Sequence, residues 1–235
     1  MKRTDIEVRI TFIEQLLGSS PNNKELYEQY IASKAPDSPN RAKRIQKEIE
    51  QIGVGETQDK GTTVFARNRD GDCILNSYVV RGFFKSAQGA FNKVSDKKSR
   101  EYLSAHKAKI DTCITVTPTG DLDIMDDGLI LEVPDGKEDE ALDLLQRPLR
   151  TSGPTGERVA LAASEVLPAG TSFVCVVTVF GDQLLPYIPM WLNYGKVNGI
   201  GQWRNSGKGR FKWEELDRRT YDQDMETGKL TPIEG

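Results

Sequence analysis

One histidine, three cysteines and no long apolar run limit what these 235 residues can do. His106 stands alone, so any Ser-His-Asp or histidine-rich metal arrangement would have to be built on it. Cys73, Cys113 and Cys175 are odd in number, far apart and each set in an apolar run. That excludes a disulfide framework and a zinc cluster, and it reads as free thiols of a reducing compartment. No apolar stretch approaches the roughly 20 residues that a membrane span needs. Met1–Asp5 leads into an alternating segment without a signal-peptide core. The expectation is a cytoplasmic chain that makes no membrane contact. Net positive charge is also missing, and a balance of −3 argues against indiscriminate nucleic-acid binding. At 37% hydrophobic and 29% charged residues, the composition is that of a globular protein able to bury one core.

What is present is concentrated in residues 195–211. Gly195, Gly199, Gly201, Gly207 and Gly209 alternate there with Lys196, Arg204, Lys208 and Arg210, together with Trp203, Asn205 and Ser206 and no acidic residue. Glycines permit positive φ and close backbone approach, and N–H groups, cations and an aromatic ring together grip a phosphate backbone. The competing reading is a structural turn that packs a helix on a sheet. A P-loop is excluded because Gly201 and Gly207 are one residue too far apart. A dinucleotide fingerprint is excluded because Arg204 stands where its third glycine belongs.

Gly199-x-Gly201 followed by Ser206-Gly207-x-Gly209 resembles the C-terminal glycine-rich loop of the RAMP superfamily. These are ferredoxin-like RNA-binding proteins that build CRISPR effector complexes and process their guide RNAs. Arg81-Gly82-Phe83-Phe84-Lys85 is similar to the Lys-Gly-x-x-Arg that opens the first helix of the backbone subunits. Pro168-Ala169-Gly170-Thr171-Ser172-Phe173 resembles the segment leading into a strand of their second half. The chain departs from the family at Asn76-Ser77-Tyr78-Val79, where Pro-Gly-Ser-Ser is usual, and residues 18–62 match nothing. A prophage-encoded relative fits the same resemblance. The resemblance implies an α+β, ferredoxin-like antiparallel sheet with helices on one face, bound RNA, and a role in antiviral defence. It also implies side-by-side assembly with copies of itself or with other RAMP-like subunits.

Read in order, Ile6, Val8, Ile10 and Phe12 alternate as a half-buried strand. A helical insertion follows over 18–62, with a stripe of Leu26, Tyr27, Tyr30 and Ile31, then one of Ala42, Ile45, Ile49 and Ile52 behind Pro39. Asp70-Gly71 predicts a hairpin turn. From Ser77 as cap, Val80, Phe83, Phe84, Ala87, Phe91 and Val94 form a helical stripe, with Arg81, Lys85, Gln88 and Asn92 on the opposite side. Gly82 and Gly89 weaken that helix by ~1 kcal/mol each, which implies close packing or a close ligand. Cys113–Thr117 and Gly128–Val133 are expected to form a protruding β-hairpin at 118–134. Its tip carries Asp121, Asp123, Asp126 and Asp127, but Met125 and Asp126 break an EF-hand pattern, so no metal and no cofactor are expected. Glu157–Ala163 and Thr171–Phe180 read as strands. A helix from Pro186 to Tyr194 and a strand over Arg210–Leu216 complete a single domain of residues 1–216, and 217–235 reads as a flexible polar tail.

Charge is segregated, with eight cations against Asp96 and Glu101 in 81–109, and ten carboxylates against Lys137 in 121–143. The functional expectation is a non-catalytic protein that binds single-stranded nucleic acid, RNA favoured over DNA. It would use Arg81, Lys85, Lys196, Gly199, Gly201, Trp203, Arg204, Asn205, Ser206, Gly207, Lys208, Gly209 and Arg210. Copies would assemble head-to-tail along the strand. The rivals are a metal-independent endoribonuclease using His106, and a structural or interaction protein of a phage that keeps the fold without the ligand.

Overall fold

Ile6, Val8, Ile10 and Phe12 are each exposed by 1% or less in β1 (Lys2–Phe12), where alternate side chains face opposite sides of the strand. The computed structural model describes residues 1–21, 62–122, 128–153 and 156–233. After β1 come β2 (Leu16–Leu17), β3 (Ser20–Pro21), β4 (Thr62–Val64), β5 (Ala66–Arg67) and β6 (Cys73–Leu75). Then come α1 (Ser77–Val94), α2 (His106–Cys113), β7 (Ile114–Thr117) and β8 (Leu129–Ile130). The chain continues through β9 (Asp143–Gly153), β10 (Gly156–Leu167), β11 (Ser172–Phe180), α3 (Tyr187–Tyr194), β12 (Phe211–Gln223) and β13 (Leu230–Pro232). The fold is α+β and its sheets are mostly antiparallel. It divides into two compact units: Met1–Leu16, Ala66–Ala141 and Leu167–Gly235 form one, and Leu17–Phe65 with Leu142–Val166 form the other.

The first unit is organised by a five-stranded sheet in the order β13-β12-β1-β11-β7, every neighbouring pair antiparallel. Ile10 lies opposite Phe173 on one side, and Phe12 opposite Phe211 on the other. α1 and α3 pack on the face bearing these rings. Phe83 meets Phe211 at 5.1 Å between ring centres, Phe211 meets Phe12 at 6.3 Å, and Phe84 meets Trp191 at 5.4 Å. α1 buries Val80, Phe83, Phe84 and Ala87 as its stripe predicts, but Val94 at its end is 83% exposed. Its N-cap is Asn76 rather than Ser77, and it makes no side-chain capping bond. α3 starts behind Pro186 and ends at Tyr194 as expected, because its first turn has no N–H bond for Pro189 to remove.

Three expectations about this unit need correction. Among the described residues of the hairpin expected at 118–134, Leu129 and Ile130 do not pair with β7. β7 pairs with β11, and β8 pairs with β6, Ile74 opposite Ile130 and Leu75 opposite Leu129. Packing sets that choice: Leu129 is fully buried, and a Cβ on Gly128 would stand 2.6 Å from Ile74 Cδ1. Asp123, Met125, Asp126 and Asp127 lie outside the described residues. The last strand does not stop at Leu216. A bulge opposite Glu7/Val8 absorbs one residue and pairing continues to Lys2↔Asp222, so 217–223 is strand where a tail was expected, and β13 pairs beyond it. Cys113 closes α2 instead of opening β7.

In the second unit the sheet order is β2-β10-β4-β3, with β9 pairing β10 from Gly156↔Gly153 to Val166↔Asp143. Sequence patterning foresaw β10 but not β9, whose adjacent Leu144 and Leu145 and whose Pro148 break the period of two. Thr63 and Ser164 share a hydroxyl bond of 2.7 Å, and the Phe65 N–H donates to Glu165 at 2.9 Å. The two helices expected within 18–62 lie outside the described residues.

Candidate nucleic-acid interface

The glycine loop closes on itself. Gly195 ends α3 where a Cβ would stand 2.3 Å from the Phe211 ring, and its carbonyl accepts the Phe211 N–H at 3.0 Å. A Cβ on Gly199 would lie 2.2 Å from the Gly209 carbonyl carbon. One on Gly209, at φ +70°, would lie 1.8 Å from the Ile200 oxygen. The Ile200 N–H bonds the Gly209 carbonyl at 2.9 Å between the two arms. Half of the competing reading therefore holds, since three of the five glycines serve the chain's own packing. Gly201 and Gly207 turn the backbone at φ +87° and +78°. The Gly207 and Gly209 N–H groups, expected to meet phosphate, are bonded to the Arg204 and Gln15 carbonyls.

The cations divide the same way. Arg210 donates to Glu14 at 2.8 Å and to the Gly207 carbonyl at 3.2 Å, and the Lys208 ammonium donates to Gln15. These two side chains tether the loop to the segment leaving β1, a structural task rather than the phosphate contact expected of them. The Ile13 N–H donating to the Arg210 carbonyl at 2.8 Å closes the tether. At the far tip, Trp203 adopts φ +55° and leads a short 3-10 turn, Arg204–Ser206. Such a conformation is strained for a non-glycine residue. Arg204, Asn205 and Ser206 are exposed, Trp203 is half-buried, and Lys196 is exposed where the loop begins. Lys196 and Arg204 make no side-chain bond to a described residue. The loop is thus a braced hairpin of backbone whose tip presents one cation, Arg204, with the amide of Asn205 and the hydroxyl of Ser206, and whose start presents Lys196.

On α1, Arg81 is half-buried and Lys85 forms an ion pair with Asp111 of α2. Gly82 is exposed and a Cβ there would meet nothing within 4 Å, and one on Gly89 would make only an ordinary contact with His106 Nε2 at 3.6 Å, so packing explains neither glycine. Gln88 and Asn92 do not line a solvated face. Gln88, fully buried, donates to Asn92 Oδ1 and the Glu101 carbonyl at 2.7 Å each and accepts from the Trp191 indole at 2.7 Å. Asn92 accepts the Leu103 N–H at 3.0 Å and donates to the Leu103 carbonyl at 2.8 Å. Their helical spacing signalled a pair, but the loop that satisfies them is a tertiary partner.

His106 closes this network. Asn92 Nδ2 donates to its Nδ1 at 3.3 Å, which leaves the proton on Nε2, and that atom is buried without a partner among the described residues. Burial first, and the Lys107 charge second, hold the imidazole below its ordinary range. A ribonuclease histidine has to reach a ribose hydroxyl, and here the outer nitrogen is turned against α1.

The sheet face opposite the helices is ion-paired. Arg3, 5% exposed, binds Asp5 through two bonds of 2.9 Å and the Gly120 carbonyl at 2.6 Å, while Thr178 donates to Asp5 at 2.8 Å. Arg219 lies between Asp217 and Glu7 at 2.6 and 3.5 Å. With carboxylates matching its cations, this face offers a polyanion little. Among the described residues no three His, Cys, Asp or Glu side chains could hold a metal ion, and no helix is long and apolar enough to cross a membrane.

No protein-family model and no curated protein matches the chain. Among solved structures, the cryo-EM structure of the Type III-B Cmr-beta bound to cognate target RNA is similar over 93% of this chain, at a TM-score of 0.43 and 8% identity. The chain spans 61% of the length of that one. A likeness of that degree carries no argument about what this chain does.

Proposed function

We propose that the chain is a non-catalytic protein that binds single-stranded nucleic acid, RNA in preference to DNA, on a RAMP-like, ferredoxin-like fold. The observation that carries the reading is the braced glycine loop, which holds Lys196 outward at its start and Arg204 outward at its exposed tip, neither bonded to a described residue. The fold proposal is supported by the order β12-β1-β11-β7, with helices linking β1 to β7 and β11 to β12, the pattern of the split β-α-β. Residues 1–216 would then form one RAMP-like domain, its insertion at 18–62 joined by 142–166 in the second unit. Copies would line up along the strand, the exposed acidic segment around Glu138–Glu140 of one facing the basic α1 of the next. The reading without catalysis is supported by the placement of His106.

Binding of single-stranded oligonucleotides should weaken as salt rises, and Arg204→Ala should flatten the log–log slope by about 0.7, the value for one phosphate on a single strand. Fluorescence anisotropy over a salt series measures both. Binding that ignores salt, or none at any ionic strength, would overturn the proposal in favour of a structural or interaction protein.

A further inference from the structure

Basic side chains in much of the first unit have acidic partners, Arg3 with Asp5, Arg9 with Glu214 and Arg210 with Glu14. The segment joining α1 to α2 does the reverse. From the last turn of α1 to the first of α2, Lys93, Lys97, Lys98, Arg100 and Lys107 are exposed against two exposed carboxylates, Asp96 and Glu101, and none of the five bonds to a described residue. Holding like charges together costs free energy in water, a cost that an incoming anion removes.

Nor is this segment a loose connection. Asn92 grips both backbone groups of Leu103, Gln88 holds the Glu101 carbonyl, and the buried Trp191 indole fixes Gln88 in turn. Buried amides with all these groups satisfied rigidify what they bond. The ordering cost of presenting Lys97, Lys98 and Arg100 is therefore met on folding and not on binding. The crest is a different set of residues from the glycine loop, and none of its cations bonds to residues 195–211.

We infer that the α1–α2 segment is a second binding surface for the phosphodiester backbone of a nucleic-acid strand, engaged by strands long enough to run past the glycine loop. The identity of the polymer rests on the function proposed above; the residues are different ones.

The test uses the full chain, its Lys97→Ala/Lys98→Ala/Arg100→Ala variant, the Arg204→Ala variant, and fluorescein-labelled oligouridylates of about 6 and about 30 nucleotides. The triple variant should keep the wild-type melting temperature and its affinity for the short probe. On the long probe it should lose about tenfold or more in affinity, and its salt slope should fall by about 2. Wild-type affinity and slope of the triple variant on the long probe, with Arg204→Ala weakened, would overturn the second surface and leave the glycine-loop reading standing. The reverse pattern would overturn the glycine loop and sustain this surface, and a wild type that binds neither probe would end both.

Discussion

A Cβ on Gly209 would stand 1.8 Å from the Ile200 carbonyl oxygen, whereas one on Gly82 would stand in open space. Gly209→Ala therefore combines a backbone clash with a φ of +70° that alanine resists, and it should cost about 2–4 kcal/mol by urea denaturation. Gly82→Ala replaces an exposed helical glycine and should gain about 1 kcal/mol. The same substitution should weaken oligonucleotide binding, because the added methyl lies next to Arg81. Unchanged binding would remove that helix face from the interface. At this scale the sequence was half legible. Spacing exposed the loop and its cations, but not which cations are free. Arg210 and Glu14 are 196 residues apart, and no local pattern announces a tether of that span.

The α1–α2 pair carries a pH dependence. Because burial and Lys107 keep the His106 imidazole below its ordinary 6.5, the unfolded chain takes up a proton that the folded chain resists. The stability tied to this group is complete above about pH 7 and is lost as pH falls through 6.5. Urea midpoints at about pH 7.5 and 5.5 should differ less in His106→Gln than in the wild type, and equal differences would refute the assignment. Elements with a strong period were readable, β1 and α1 above all. β9 was not, because adjacent leucines and a proline mask a strand that exists through its eleven-residue pairing with β10. β8 was placed against the wrong neighbour for a related reason. A short apolar run states that it is a strand and leaves its partner to packing at Gly128 and Ile74.

For the molecule as a whole, the head-to-tail proposal predicts stoichiometry. Sedimentation with oligonucleotides of increasing length should add one protomer per fixed increment, and Glu138→Lys/Glu140→Lys, reversing two exposed charges, should abolish the stepwise growth while one copy still binds. One protomer on every length of wild-type complex would refute it. The sheet order has a further consequence, for the birth of the chain. β1 is the strand on which both flanking strands are laid, and its partners begin at Ser172 and Phe211. At roughly 5–20 residues per second, a ribosome takes about 8–30 s to bring β11 out after β1. For that interval the central strand of the sheet waits with both edges open, and the charges spaced along it, Asp5, Glu7 and Arg9, keep it from pairing with the wrong chain.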